Sequence, residues 1–405
     1  MKHVIGIDVS KATSQVAVVT DEQVLKQFKI TNDAFGFETL NQSIKQFETV
    51  PEIVFEATGV YSARLQHFLE INNYPYYRLN PLAAKKQMDQ LRPQKNDVSD
   101  ALGLAQTQLK FARKETFVEL PIYYELTALS RQYQELTSDT VMFKNRLHTA
   151  LQWTFPEIEK LMSQAAGERY WQIVSLFPHA RRVINRSVQE ITERLLSTGP
   201  KQMRKKHAEM LAIKLYKLAS ASAPAVPSSS SRCETIQYYA AQLHQLDSLR
   251  NDKIKQMRVL SEQLPEFDIY MSIPGFAEKT VVGLIGELGD LHRFSSPNQI
   301  NAFIGIDLRF NDSGEYHTKG FITKRGDHWA RKILFRSIGN IASTATHGHP
   351  NHINDWYQNR KKSSPSTGTK KIAIGAMDRL ISTMYHLVMT NQKYDYTIAC
   401  RSKRY

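Results

Sequence analysis

Three short runs rich in β-branched residues open the chain in quick succession: HVIGIDV (3–9), SQVAVVT (14–20) and VLKQFKI (24–30). Runs this short and this close can pair as a meander but leave no room for helices between them. A helical pattern follows, with Phe37, Leu40, Ile44 and Phe47 at helical spacing. Then come the strand pattern EIVFE (52–56), a helix carrying Leu65, Phe68 and Leu69, and the strand YYRLN (76–80), ended by Pro81. Three strands, then helix, strand, helix, strand is an α/β order. Within it, GIDVSKATSQVAVV (6–19) sets one aspartate, Asp8, in a segment otherwise built like a buried strand.

Asp8 is explained if it has company. Glu56 ends the fourth strand pattern in FEATG, and Asp97 and Asp100 stand at i and i+3 in KNDVSDA. That spacing puts the two aspartates on one face of the following helix, about 5 to 6 Å apart. In a sheet whose first and fourth strands are neighbours, Asp8 and Glu56 lie side by side, and four carboxylates converge. Like charges raise one another's pKa, so the cluster is unfavourable unless hard divalent cations such as Mg²⁺ sit among the oxygens. Two ions roughly 3.5 to 4 Å apart can activate a nucleophile and stabilise a leaving oxygen in phosphoryl transfer. The plainer alternative makes Asp8 a strand-end cap, Glu56 half of an ion pair and Asp97 a helix N-cap.

The stretches GIDVSK, FEATGVY, LNPLAAKKQ and KNDVSDALGLA resemble the RuvC-like, DEDD-type domain of the IS one-ten family of insertion-sequence transposases, the bridge-RNA-guided recombinases. The resemblance runs from residue 1 to about 156, including FKNRLHTALQWTFPE, and resumes near residue 268. It implies a RuvC/RNase H-like α/β N-terminal domain in which Asp8, Glu56, Asp97 and Asp100 bind Mg²⁺ and are catalytic. It further implies a mainly helical C-terminal transposase domain. In FIGIDLRFNDSGEYHTKGFITKRGDHWARKIL (303–334), Ser313 matches the family's covalent nucleophile. Read without the family, Ser313 in NDSG is a turn serine. A serine hydroxyl attacks poorly without a base or a metal, and the implied activator is the acidic site.

The chemistry so implied is DNA strand exchange through a phosphoserine linkage that conserves the phosphodiester energy. The implied partners are donor and target DNA, a structured noncoding guide RNA, and further copies of the chain in a dimer or tetramer.

The net charge of +14 is unevenly spread, and its distribution points to a polyanion. Residues 1–110 hold twelve Lys/Arg against twelve Asp/Glu, whereas residues 301–405 hold seventeen against seven. A basic block of this density suits phosphate contacts, although a solvated basic surface has the same composition. The nucleic-acid contacts expected are Arg92 and Lys95 ahead of the Asp97 helix, then Gly275, Lys279, Lys319, Lys324, Arg325 and Arg331. SIPGFAEKTVVGLIGELG (272–289) reads as a Pro-Gly turn presenting backbone N–H groups at a helix start, as in a helix-hairpin-helix element.

Three regions are expected. Residues 1–112 form the catalytic α/β domain, and residues 113–265 a helical region with a Ser/Pro-rich linker at 219–231. Residues 266–405 form the C-terminal serine domain. Ile236, Tyr239, Leu243, Leu246, Met257, Leu260 and Leu264 fall on a 3-4 heptad spacing, a coiled-coil arm paired either with the helix 126–153 or with another copy. Residues 157–235 and the tail RSKRY are not assigned by the family pattern; Lys201, Arg204, Lys205 and Lys206 are either RNA-phosphate contacts or a solvated charge run. His347, His349 and His352 lack the cysteine or acidic company of a zinc site.

Two cysteines, no secretory signal and no apolar run near 20 residues point to a cytoplasmic, nucleoid-associated protein without membrane contact. An actin-like ATPase shares the opening motif, but a second phosphate loop of the DxGxxT kind is missing from the later sequence. A junction nuclease would use the same carboxylates with water as nucleophile. A non-catalytic RNA- or DNA-binding protein would need only the basic half.

Overall fold

The computed structural model describes residues 2–21, 23–81, 84, 97–163, 165–198, 203–309, 312–313, 316–317, 321–363 and 368–401. The chain divides into two compact units, Met1–Val118 and Glu119–Tyr405.

In the first unit, β1 (His3–Val9), β2 (Thr13–Thr20) and β3 (Val24–Thr31) form the antiparallel meander that their spacing predicts. After α1 (Ala34–Ile44), β4 (Glu52–Glu56) pairs parallel with β1; after α2 (Ala63–Ile71), β5 (Tyr76–Leu79) pairs parallel with β4. The order β3-β2-β1-β4-β5 makes β1 central and β4 its neighbour. The expected α/β N-terminal fold ahead of a mainly helical remainder is what the chain adopts.

Alternation along the strands sends residues to two layers. Ile5, Ile7, Ile53 and Phe55 join Leu40, Ile44, Leu65 and Leu69 of α1 and α2 in one core. On the other face Val4, Val19 and Val54 pack with Leu104 and Ala105 of α3 (Asp97–Lys110). The edge of β5 is covered by the segment after α3, where Thr116 donates its N–H to the Tyr76 carbonyl (2.9 Å) and its hydroxyl accepts from Arg78 N–H (2.8 Å).

The second unit is built on two long helices, α4 (Pro121–Leu151) and α9 (Arg232–Ser261), which lie antiparallel along each other. Phe143 packs edge-on against Tyr238 and Tyr239, and Arg250 reaches the Tyr133 hydroxyl (3.2 Å) eleven residues along α9 from Tyr239. Here α9 packs on the chain's own α4, one of the two partners the heptad spacing allows.

Between these helices come α5 (Glu168–Leu176), α6 (Ala180–Ile184), α7 (Val188–Leu196) and α8 (Lys205–Ser220). They enclose one core with Leu147, Leu151, Ile236 and Leu243. The stretch 219–231, whose first two residues close α8, has the composition of a flexible linker, yet its backbone is tied down. The buried His179 bonds the Val226 carbonyl (2.9 Å), Arg182 donates to the Ser228 carbonyl (3.2 Å), and Ala225 N–H reaches the Trp153 carbonyl (3.0 Å).

The other ends of α4 and α9 contribute Leu126, Tyr133 and Met257 to a second core. It is completed by α10 (Pro265–Met271), α11 (Glu278–Leu288), α12 (Pro297–Ile304), α13 (His328–Thr346), α14 (His352–Ser363) and α15 (Thr369–Met389), with α16 (Tyr396–Arg401) beyond. Short antiparallel pairings, β6 (Leu308–Arg309) with β9 (Phe321–Ile322) and β7 (Asp312–Ser313) with β8 (Tyr316–His317), lie between α12 and α13.

Candidate active site

Ile7 of β1 stands opposite Phe55 of β4, so Asp8 and Glu56 take the next rung at the C-terminal ends of adjacent parallel strands. Both alternate onto the α3 face: Asp8 follows Val4 and Gly6, and Glu56 follows Glu52 and Val54. The helix on that face runs against the strands. Near its C-terminal end Gln108 donates to Glu52 at the start of β4 (2.7 Å), and Lys2 pairs with the same carboxylate (3.1 Å). From Glu52 to Glu56 the strand advances ~13 Å, and from Gln108 back to Asp100 the helix retreats ~12 Å. Asp100 is therefore level with Glu56 and Asp8.

Gly6 sets how closely the helix approaches. A Cβ there would fall 2.2 Å from the Ala101 carbonyl oxygen and 2.7 Å from the Ala105 nitrogen, so glycine is the residue that lets the α3 backbone rest on β1. Asp8, Glu56 and Asp100 are each half-buried. Asp97 is the first residue of α3, one turn before Ala101, and its side chain is not among those described. The donors are hard carboxylate oxygens on one partly exposed face, with no sulfur among them. That chemistry fits Mg²⁺.

Ser313 is the last residue of β7, opposite Tyr316 of β8. The turn expected there continues into residues 314 and 315, which lie outside the described residues. Of the expected nucleic-acid contacts, Arg92, Lys95 and Lys319 also lie outside them.

The others hold varied positions. Gly275 has φ 97° in the turn before α11, and a Cβ there would meet the Ile341 backbone of α13 at 2.6 Å, so packing alone accounts for the glycine. Lys279 is exposed in the first turn of α11, with its ammonium 5.0 Å from the Tyr133 ring centre. Burial would push the Tyr133 phenol up, but hydrogen bonds from Lys279 and Arg250 bring it below its ordinary value. Lys324 and Arg325 are exposed, whereas Arg331 is spent on the Ile304 carbonyl.

Several features escape sequence reading. A concave basic site is lined by Trp356, Arg360, Lys371, Ile372 and Arg379, with the Arg379 guanidinium 4.7 Å from the Trp356 ring centre. Cation and aromatic together suit a nucleic-acid strand, but they come from two helices and share no motif. Arg131 of α4 bridges Glu287 (2.8 Å) and Asp327 (2.5 Å). Asp327 in turn caps α13 through Trp329 and Ala330 N–H (both 2.8 Å). Burial pushes the Glu287 carboxyl up to about 7 despite its bond from Ser130.

Among the described residues, Glu266, Asp290 and His292 have ligand atoms within 4.8 Å of one another. The histidines 347 and 352 are used locally, on the Ser343 carbonyl and the Tyr394 hydroxyl.

Comparison with known families bears on both units. Residues 5–156 match a family model of DEDD, IS110-type proteins described as "Transposase", and residues 268–353 match one described as "Transposase IS116/IS110/IS902 family". A curated relative, the transposase for insertion sequence element IS1111A of Coxiella burnetii, is 28% identical over 88 residues, 22% of this chain. The matched stretch spans only 24% of that relative's own length. Among solved structures, T. thermophilus RuvC in complex with Holliday junction substrate is matched at 14% identity, over 27% of this chain and 93% of that one. The TM-score is 0.22, too distant a likeness to bear on function.

Proposed function

Because the chain belongs to the IS110 family of insertion-sequence transposases, we propose that it moves DNA by strand exchange, with Ser313 as covalent nucleophile and Asp8, Glu56, Asp97 and Asp100 as the metal-binding set. The observation that carries the reading is the common level of Asp8, Glu56 and Asp100 at one end of the central strands. Three carboxylates at one level repel one another, and a divalent cation among their oxygens removes that cost.

Bound there, Mg²⁺ would neutralise charge on the transferring phosphate and favour ionisation of the attacking hydroxyl. Ser313 Oγ forms a bond to phosphorus as the bond to a DNA oxygen breaks; the seryl proton is lost and the leaving oxygen gains one. A hydroxyl from a second duplex then reverses the step and frees Ser313, with no net hydrolysis and no ATP. Carboxylates of the quartet orient the ion, while exposed cations such as Lys324 and Arg325 hold the flanking phosphates. A structured noncoding RNA from the same element pairs with donor and target DNA, and the protein acts as a homo-oligomer.

Strand exchange between labelled duplexes, in the presence of RNA transcribed from the element's flank, tests this. Asp8→Asn and Asp100→Asn are each expected to lower exchange by at least about 10³-fold while DNA binding persists. Cleavage that survives Ser313→Ala would replace the recombinase by a water-using nuclease. Binding without any metal-dependent chemistry would leave a non-catalytic nucleic-acid-binding protein. Exchange that is indifferent to the RNA would remove the guide alone.

A further inference from the structure

Glu266 opens α10 as the residue after Pro265, and its side chain is almost wholly buried, with the residue 2% exposed. One carboxylate oxygen accepts the Tyr123 hydroxyl (2.9 Å). The other, Oε2, has no hydrogen-bond partner, and among the described residues Glu266 has no cationic partner. A buried carboxylate oxygen left without a hydrogen bond is costly, and among the described residues only the Tyr123 hydroxyl bonds this side chain.

Beside it lies the turn that follows α11. Asp290 is fixed there by its N–H bond to Glu119 (2.8 Å), and its Oδ1 lies 2.7 Å from Nδ1 of His292, a side chain that remains half exposed. Glu266, Asp290 and His292 thus bring three potential ligand atoms within 4.8 Å of one another, and one of the three residues is a buried acid with one carboxylate oxygen left unpartnered.

We infer that Glu266, Asp290 and His292 form a second metal site, distinct from the carboxylate quartet, that takes a divalent transition ion of the zinc class. Two carboxylates and an imidazole are borderline-hard donors that suit Zn²⁺ better than Mg²⁺, which prefers oxygen and keeps its waters. On binding, the ring hydrogen of a neutral His292 resides on Nε2, and Nδ1 offers its lone pair. The solvent-open side of His292 leaves space for a water as fourth ligand. The ion ties the start of α10 to the turn after α11 and so braces the helix that carries Lys279. This site stands whether or not Ser313 is a nucleophile.

The test uses the full-length protein carrying Asp8→Asn and Asp100→Asn, so that the quartet does not compete, stripped of metal and titrated with Zn²⁺ by calorimetry and elemental analysis. One zinc equivalent is expected, displaceable Co²⁺ should give a tetrahedral-type visible spectrum, and both should be lost with His292→Gln or Asp290→Asn. Because His292 is half exposed, its replacement leaves the fold intact, as circular dichroism of the metal-free protein will verify. No zinc uptake by the parent, or equal uptake after either substitution, overturns the proposal.

Discussion

Asp8 and Gly6 share a strand face and show two kinds of constraint. Asp8 is legible in the sequence because an ionisable residue in an apolar run has to be explained by its surroundings. The role of Gly6 is not legible, since it depends on Ala101 and Ala105, nearly a hundred residues away, resting on the strand. Gly6→Ala is expected to destabilise the first unit by about 1–3 kcal/mol, the usual cost of overpacking, measured by urea unfolding. It should also weaken Mg²⁺ binding, by pushing α3 and Asp100 away from β1.

Asp8→Asn separates the metal role from a structural one. If Asp8 served as a cap or in an ion pair, its loss would lower the melting temperature of the metal-free protein. As a metal ligand among like charges, its loss leaves that temperature unchanged or higher. The stabilisation gained on adding Mg²⁺, about 2.7 kcal/mol at a hundredfold excess over Kd for the intact site, should then disappear.

At the scale of elements, the buried carboxyl of Glu287 makes stability depend on pH. Its folded value of about 7 lies above the ordinary 4.5, so between those values the native state binds more protons than the unfolded chain. The contribution is complete below the ordinary value and is lost as pH rises through 7. Relative to Glu287→Gln, the parent protein should therefore lose stability between pH 6 and pH 8, as urea titrations at the two pH values will show. Asp327→Ala is the harsher change. It removes the cap of α13 and leaves Arg131 and Glu287 with one partner fewer, at an expected cost of about 3–5 kcal/mol.

Helix and strand periods made the order of β1 to β5 readable, because runs such as HVIGIDV and EIVFE are short and sharply bounded. The heptad positions Ile236, Leu243 and Met257 showed that α9 has an apolar seam but not what covers it. Ile236 and Leu243 serve one core and Met257 another. Composition similarly described the stretch 219–231 by what it lacks. The groups that secure it, His179 and Arg182, are distant in sequence and reach only its carbonyls.

Across the whole molecule most of the excess positive charge lies in residues 301–405, and nucleic-acid affinity should follow salt accordingly. Arg360, Lys371 and Arg379 flank Trp356 in the concave site. Neutralising any one of them should weaken binding about uniformly across sequences and reduce the slope of log K against log salt by about 1. An unchanged slope would place the phosphates elsewhere.

The catalytic account joins a carboxylate set legible by position to a serine legible only by family resemblance, so the serine is the place to test it. Protein incubated with its DNA, its RNA and Mg²⁺, then denatured, digested and examined by tandem mass spectrometry, gives the direct measurement. The account predicts a nucleotide joined to Ser313 through phosphate, and its loss with EDTA or Asp8→Asn. Strand exchange accompanied by an adduct on any other residue, or by none under trapping conditions, would contradict it.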